Sequence, residues 1–395
     1  MAKYNFDEII ERKNTNSLKY DFATRRGKPE DVLPLWVADM DFKTSPKIVE
    51  ALKAKADHAI FGYSEPLESY FDALKNWFLK HYNWTPNERK FLLVPGVVFG
   101  ICAAIKALTK EGDSILINQP VYYPFKEAIL DNGRKLINSN LVYKDNKYFL
   151  DFADLEEKIK VNNVKIYVLC NPHNPVGRVW SREELEKIYE ITKKYNVVVI
   201  SDEIHADFTY SGINFTSYAT IASDVLDNSI IATSASKTFN LAGLHNANIY
   251  IANDRIRRLV RHEINAIGYS QPNVMGLIAT EAAYKYGEDW YIELKDYLAS
   301  NLQYVREFIS KKLKGVKLIE PEGTYLIWID FGGLNITDER LNDIIINKAK
   351  LWLDEGNIFG KSGENFERIN IACPKAILKE AFERLYKALV EEKII

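Results

Sequence analysis

The sequence predicts an α/β fold, with a large domain built on a mainly parallel sheet and a smaller α+β domain. Two observations carry this. In the middle of the 395-residue chain, short β-branched apolar runs alternate with helical patterns, the signature of βαβ crossovers. The last hundred residues change texture, with a long amphipathic helix followed by strand-like and helical segments. The composition, 47% hydrophobic and 27% charged, is that of an ordinary globular chain and excludes disordered, collagenous and disulfide-scaffold classes.

The buried strands come first. SILIN (114–118), KIYVLC (165–170), VVVIS (197–201), SIIAT (229–233) and NANIYIA (246–252) lack clean polar alternation, as expected for strands covered on both faces. The clearest helix between them spans 181–195. Ser181 and Glu184 form a capping box, Leu185, Ile188, Tyr189 and Thr192 recur at helical spacing, and Lys193-Lys194 suit the C-terminal end. The apolar run 91–108 is broken by Pro95-Gly96, so it reads as a strand, a turn and a buried helix rather than a membrane span. Toward the C-terminus the pattern gives a helix near 288–314, a strand at 324–331, a helix near 338–353, a strand at 368–373 and a helix at 375–391. The expected domains are 45–287 and, for the smaller one, 1–44 with 288–395.

Charge and cysteine usage narrow the function classes. Lys plus Arg number 52 against 54 Asp plus Glu, a net charge of −2, so no basic surplus points to nucleic acid or an anionic membrane. Three cysteines without CxxC spacing fit a reducing compartment. The start MAKYNFDEIIERK has no apolar core of a secretory signal, and a cytoplasmic location is expected. No GxGxxG and no metal-ligand spacing occur. GNIFGKS (356–362) imitates a phosphate loop but is one residue short, so it is set aside as a decoy.

Three motifs follow successive apolar strands, about one βαβ unit apart. NPHNPVG (171–177) holds two Asn-Pro pairs and a Gly, which enforce an ordered non-helical turn. In SDEIH (201–205), Asp202 suits a positively charged nitrogen, with plain helix capping as the simpler reading. In SASKTFN (234–240), Lys237 suits a Schiff-base nucleophile, which needs a partly desolvated amine; taken alone, a solvated loop lysine is simpler. Together, Asn, Asp and Lys converge on the strand-end edge where open α/β sheets bind ligands. The joint pattern is more specific than any member.

On these motifs the chain resembles the fold-type I enzymes of the class I/II aminotransferase superfamily, which use pyridoxal 5′-phosphate (PLP). The resemblance implies a mainly parallel seven-stranded sheet. It implies that Lys237 bonds the cofactor covalently, Asp202 pairs with its pyridine nitrogen, Asn174 binds the ring O3′ and Ser234 contacts the phosphate. It places Gly96, Val97 and Val98 of VPGVVFGI at a phosphate-binding helix N-terminus. An aromatic of QPVYYPF stacks on the ring; Tyr122 is chosen, with Tyr123 the alternative. Arg368 in ERINIACP is implied as the clamp on the substrate α-carboxylate, with Ala38 and Asn174 also on the substrate and His205 beside the cofactor. Tyr63 in FGYS is implied to reach the other subunit's phosphate in a homodimer.

Within the superfamily the likeness is to the cystathionine β-lyase (MalY/PatB) branch of bacterial C–S lyases. It is carried by LPLWVADMDF (33–42), FGYS (61–64), SDEIH, SASKTFNLAGL (234–244), GTYLIWIDF (323–331) and RINIACP (368–374). His205 stands where common aspartate-type enzymes have Tyr, and His245 where many have a phosphate-binding Arg. The implied reaction is α,β-elimination of L-cystathionine or a related cysteine S-conjugate to a thiol, pyruvate and ammonia. The alternative is an aminotransferase using the same Lys237 and Asp202.

Overall fold

The computed structural model describes residues 3–395. Its central sheet has seven strands: β1 (Phe91–Val94), β2 (Ser114–Ile117), β3 (Lys135–Asn138), β4 (Ile166–Cys170), β5 (Val198–Asp202), β6 (Ser229–Thr233) and β7 (Ala247–Tyr250). Their spatial order is β1-β7-β6-β5-β4-β2-β3. The β3, β2, β4, β5 and β6 run is parallel, and β7 is antiparallel to both its neighbours. All residues of β2, β4, β6 and β7 are buried, which explains why their sequences lack polar alternation.

The crossover helix Arg182–Lys194 has the capping box read from the sequence: the Ser181 side chain accepts from the Glu184 N–H, and Glu184 reaches back to the Ser181 N–H. The apolar run 91–108 divides as expected, into β1 and the helix Val97–Leu108 with Gly96 at its N-cap. Among the described residues no helix is long and apolar enough to cross a membrane.

A second, antiparallel sheet follows the long helix Glu288–Lys312. Its strands are β8 (Lys317–Ile319), β9 (Leu326–Asp330), β10 (Asp354–Glu355) and β11 (Phe366–Asn370), in the order β8-β9-β11-β10. Two expectations change here. The helix near 338–353 ends early: Asp338–Asp343 is α-helical, Ile344–Lys348 is one π turn, and Leu351–Trp352 is a strand. Lys350 takes a positive φ of 53°, and Leu351–Trp352 pairs in parallel with Leu33–Pro34. Helical periodicity is blind to that long-range partner. The strand expected at 368–373 lies instead at 366–370, so Arg368 is mid-strand, opposite Trp328 on one side and Asp354 on the other.

The N-terminal segment threads against this second sheet. Leu35 donates its N–H to Trp352 and accepts from Asn370, while the Asp41 N–H reaches Ala372. Asn240, three residues past Lys237, holds the Met40 N–H and the Met40 and Phe42 carbonyls at 2.9–3.0 Å. The motif VADMDF is thereby fastened to the Lys237 loop.

Candidate active site

Sheet register brings the three motifs together. Cys170 is paired with Asp202, and Asp202 with Ala232, so the chain leaves β4, β5 and β6 side by side. The Asn171 N–H donates to the Asp202 carbonyl and the Glu203 N–H to Ala232, both at 2.9 Å. Asn171-Pro172 and Asn174-Pro175 are cis. The turn 171–177 is locked further by the Tyr122 N–H, which donates to the Asn174 carbonyl at 3.0 Å.

A cavity of about 220 Å³ opens at this edge. Ala38, Gly96, Val97, Val98, Tyr122, Asn174, Asp202, His205, Ser234 and Lys237 all line it. So do Ser236 and Asn246, which sequence reasoning did not assign, and His245, which it singled out as standing where many enzymes of the superfamily have an arginine. Two expected residues lie elsewhere. Tyr63 is 97% exposed. Arg368 is buried behind Asn174, to whose side-chain oxygen it donates at 3.1 Å. Its other arm pairs with Asp354 and donates to the Trp36 carbonyl at 2.8 Å, while its Nε has no partner.

Burial sets the charge behaviour. The Lys237 amine is pushed down to about 8 by desolvation, with Asp39 opposing and Arg368 adding to the fall. It donates to the Ala38 carbonyl at 3.2 Å. Desolvation raises the Asp202 carboxyl to about 7, against the Ile204 N–H and the Lys237 charge. His205 is driven down to about 3, again by burial first, so it is a neutral imidazole, and its Nδ1 has no partner. An amine and a carboxylate both held off their ordinary values in one cleft mark a reactive site.

The first turn of a helix presents free N–H groups, and the helix Val97–Leu108 points its first turn at the cavity through Gly96, Val97 and Val98. No atom lies within 4 Å of where a Gly96 side chain would begin, leaving an open anion cradle. Ser234 caps the short helix Ala235–Thr238, accepting from the Ser236 N–H at 3.1 Å and donating to the Asn246 carbonyl at 2.7 Å. Its hydroxyl proton is thus committed within the protein, and its oxygen remains at the cavity wall.

Sequence reasoning also missed Asp207. This buried carboxylate accepts from Trp77 Nε1 at 2.9 Å, from Tyr82 and from Thr238, the residue after Lys237. Tyr291 donates to its carbonyl at 2.5 Å. Its position in SDEIHADF, five residues past Asp202, was the only available signal. The decoy GNIFGKS forms two short 3₁₀ turns rather than a loop leading into a helix, and its Phe359 carbonyl accepts from the Val121 N–H at 3.1 Å.

Known proteins resemble the chain over nearly its whole length. Cystathionine beta-lyase PatB of Bacillus subtilis is 39% identical, over 98% of this chain and all of that one. The crystal structure of cystalysin from Treponema denticola, which contains pyridoxal 5′-phosphate, has a TM-score of 0.95 at 38% identity, covering 98% of this chain and 99% of that chain. The PLP-bound C-S lyase from Staphylococcus hominis gives 0.93 at 33%, with the same coverage. The family of class I and II aminotransferases matches residues 30–385, and with these full-length likenesses the chain belongs to that family.

Proposed function

We propose that the chain is a PLP-dependent C–S β-lyase that cleaves L-cystathionine or a related cysteine S-conjugate. The observation that carries this is the full-length likeness to the lyases PatB and cystalysin, centred on a cavity that joins Lys237 to Asp202. The donor set fits the cofactor. Asp202 is a buried carboxylate whose side chain accepts only the Ile204 N–H among the described residues, which suits a protonated pyridine nitrogen. The open helix start at Gly96, Val97 and Val98 suits a phosphate. Tyr122 suits ring stacking and Asn174 the ring hydroxyl. Ser234 and His245 border the phosphate end, with His245 in place of an arginine.

When bound, PLP supplies an electron sink that acidifies Cα–H and allows a β-substituent to leave. The protein's part is aim and proton handling. Lys237 Nζ, its proton affinity lowered by burial, is the base that takes the Cα proton. The electron pair of that bond expels the thiolate from Cβ, and the thiolate takes up a proton. The released enamine adds water and loses ammonia, so substrate plus one water gives thiol, pyruvate and ammonia. Arg368 orients the α-carboxylate through its unspent Nε and by yielding part of its hold on Asp354. Ala38 closes the substrate side, its carbonyl fixed by Tyr325 at 2.8 Å.

We read residues 45–287 as the large domain and 1–44 with 288–395 as the small one. We also read the protein as a homodimer. Ile60, Phe61, Tyr63 and Leu67 are 61–97% exposed, an apolar stretch that a second copy would cover. Tyr63 would then reach the partner's phosphate site. Incubating the PLP-loaded protein with L-cystathionine tests the function, assaying pyruvate, thiol and 2-oxo-acid-dependent amino transfer side by side. Pyruvate and thiol in equal amounts, without an oxo acid, are expected; turnover that requires an oxo acid would make it an aminotransferase.

A further inference from the structure

The N-terminal segment brings a charge cluster next to the Lys237 cavity. Arg12 lies between two aspartates, donating to Asp39 at 2.5 Å and to Asp41 at 2.6 Å. Lys19, whose side chain is fully buried, closes the set on Asp41 at 2.8 Å. The Tyr20 ring packs against both cations, at 5.2 and 5.8 Å. The charges of Arg12, Lys19, Asp39 and Asp41 cancel.

One member of the set is not spent. Asp39 gives Oδ2 to Arg12, while its Oδ1 is buried and accepts nothing, although buried polar atoms are normally hydrogen-bonded. One peptide bond away is the Ala38 carbonyl, on which Lys237 Nζ rests at 3.2 Å. The backbone here is pinned on both sides. Tyr325 holds the Ala38 carbonyl at 2.8 Å, Asn370 the Val37 and Asp39 carbonyls at 2.7 and 2.8 Å, and Asn240 the Met40 N–H at 2.9 Å.

Burial lowers the Lys237 amine most. Of the charges that act on it, Asp39 favours the ammonium more than Asp202 does, and Arg368 opposes it. His205, in the same cavity, is neutral. The Tyr325 hydroxyl is kept protonated by burial first and by Asp39 second. With Asp202 facing a ring nitrogen, Asp39 is the carboxylate left to the lysine.

Resting on the lyase reading above, we infer that Asp39 is a positioning residue for the charge of Lys237. Its carboxylate steadies the ammonium formed when Lys237 takes the Cα proton, and Arg12 sets how much of that carboxylate is available.

The test follows Lys237 in the cofactor-free full chain by trace acetylation with acetic anhydride across pH, read by peptide mass spectrometry, because only the neutral amine reacts. In Asp39→Asn the midpoint falls by about one pH unit, as a lost opposite charge requires, and Asp39→Glu brings it back toward wild type. Arg12→Gln keeps the carboxylate but removes the cation that shares it, so the midpoint rises. A merely structural role would not move the two in opposite directions. An unchanged midpoint in Asp39→Asn overturns the assignment, and so does a fall or no change in Arg12→Gln, which decides by itself if Asp39→Asn fails to fold. In the PLP-loaded protein the acidic limb of kcat for pyruvate release from L-cystathionine moves with the labelling midpoint; a limb that stays in place overturns the role in the reaction. A wild-type protein that releases no pyruvate is a separate result, because it removes the lyase reading while the labelling still decides whether Asp39 sets the charge of Lys237.

Discussion

Replacing the reactive lysine should make the cofactor-free protein more stable. Lys237 titrates near 8 in the fold against an ordinary 10.5, because burial opposes its charge. At pH 7 both folded and unfolded states hold the proton, so the fold bears the cost of a charged amine in a poor solvent. A gap of about 2.5 units at 1.36 kcal/mol each sets a ceiling of about 3 kcal/mol. Part of the Lys237 surface remains open to the cavity, so solvent screening brings the expected cost to about 1–3 kcal/mol. Met matches the length of the aliphatic stem, and the Ala38 carbonyl keeps its bond from Tyr325 at 2.8 Å. Lys237→Met should therefore gain about 1–3 °C in Tm, at roughly 1 °C per kcal/mol for a chain this long. The sign with pH follows from the lowered value. The cost is full below about 8 and fades as pH rises toward 10.5, where the unfolded lysine also becomes neutral. Calorimetry of both proteins, freed of PLP, at pH 7 and pH 10 measures the difference. A variant no more stable than wild type at pH 7, or a gain that does not shrink at pH 10, would refute the reasoning.

Other perturbations test neighbouring groups. Asp202→Asn should keep some PLP but slow Cα–H exchange with deuterated solvent by roughly 10²–10⁴-fold, the equivalent of the 3–5 kcal/mol typical of breaking a buried ion pair; wild-type exchange would remove Asp202 from the role. Arg368→Ala should raise KM for L-cystathionine and also leave the buried Asp354 carboxylate alone, at a cost of about 3–5 kcal/mol of stability. Adding Asp354→Ala should restore stability but not KM, and denaturation paired with kinetics reads both. Asp207→Ala strands the Trp77, Tyr82 and Thr238 donors at about 1–3 kcal/mol each, so a Tm drop of several degrees is expected. Sedimentation should find a dimer, and Tyr63→Phe should weaken PLP retention without dissociating it.

What the sequence showed depended on the range of the physics involved. The strands of the central sheet were legible because burial on both faces removes polar residues from every position. The 181–195 helix was legible because its cap is local, Ser181 to Glu184. The convergence of Asn174, Asp202 and Lys237 was legible because successive parallel strands end on one edge. Other features came from long-range partners. Leu351–Trp352 is a strand because Leu33–Pro34 lies beside it. Arg368 sits behind the cavity because Asp354 holds it there. Asp207 looks like any loop aspartate until Trp77, Tyr82 and Thr238 are seen to fold around it.

The separation of Lys237 from Asp202 explains why both carry shifted affinities. An ion pair between them would return the amine toward 10.5 and the carboxyl toward 3.8, and the fold would gain by it. Instead Lys237 donates to the Ala38 carbonyl, and Asp202 accepts the Ile204 N–H at 3.0 Å. The amine is kept there from both sides. Asn240 fastens the loop after Lys237 to the 40–42 segment, and Asp207 anchors Thr238 to Trp77 and Tyr82. Neither anchor touches the cavity, so both can be satisfied fully while the site stays unsatisfied. A ligand with an electrophilic carbon at one end and a basic ring nitrogen at the other relieves both groups at once. The binding energy is then spent where the fold is least content, and loss of either anchor should let Lys237 drift toward Asp202 before it unfolds the chain.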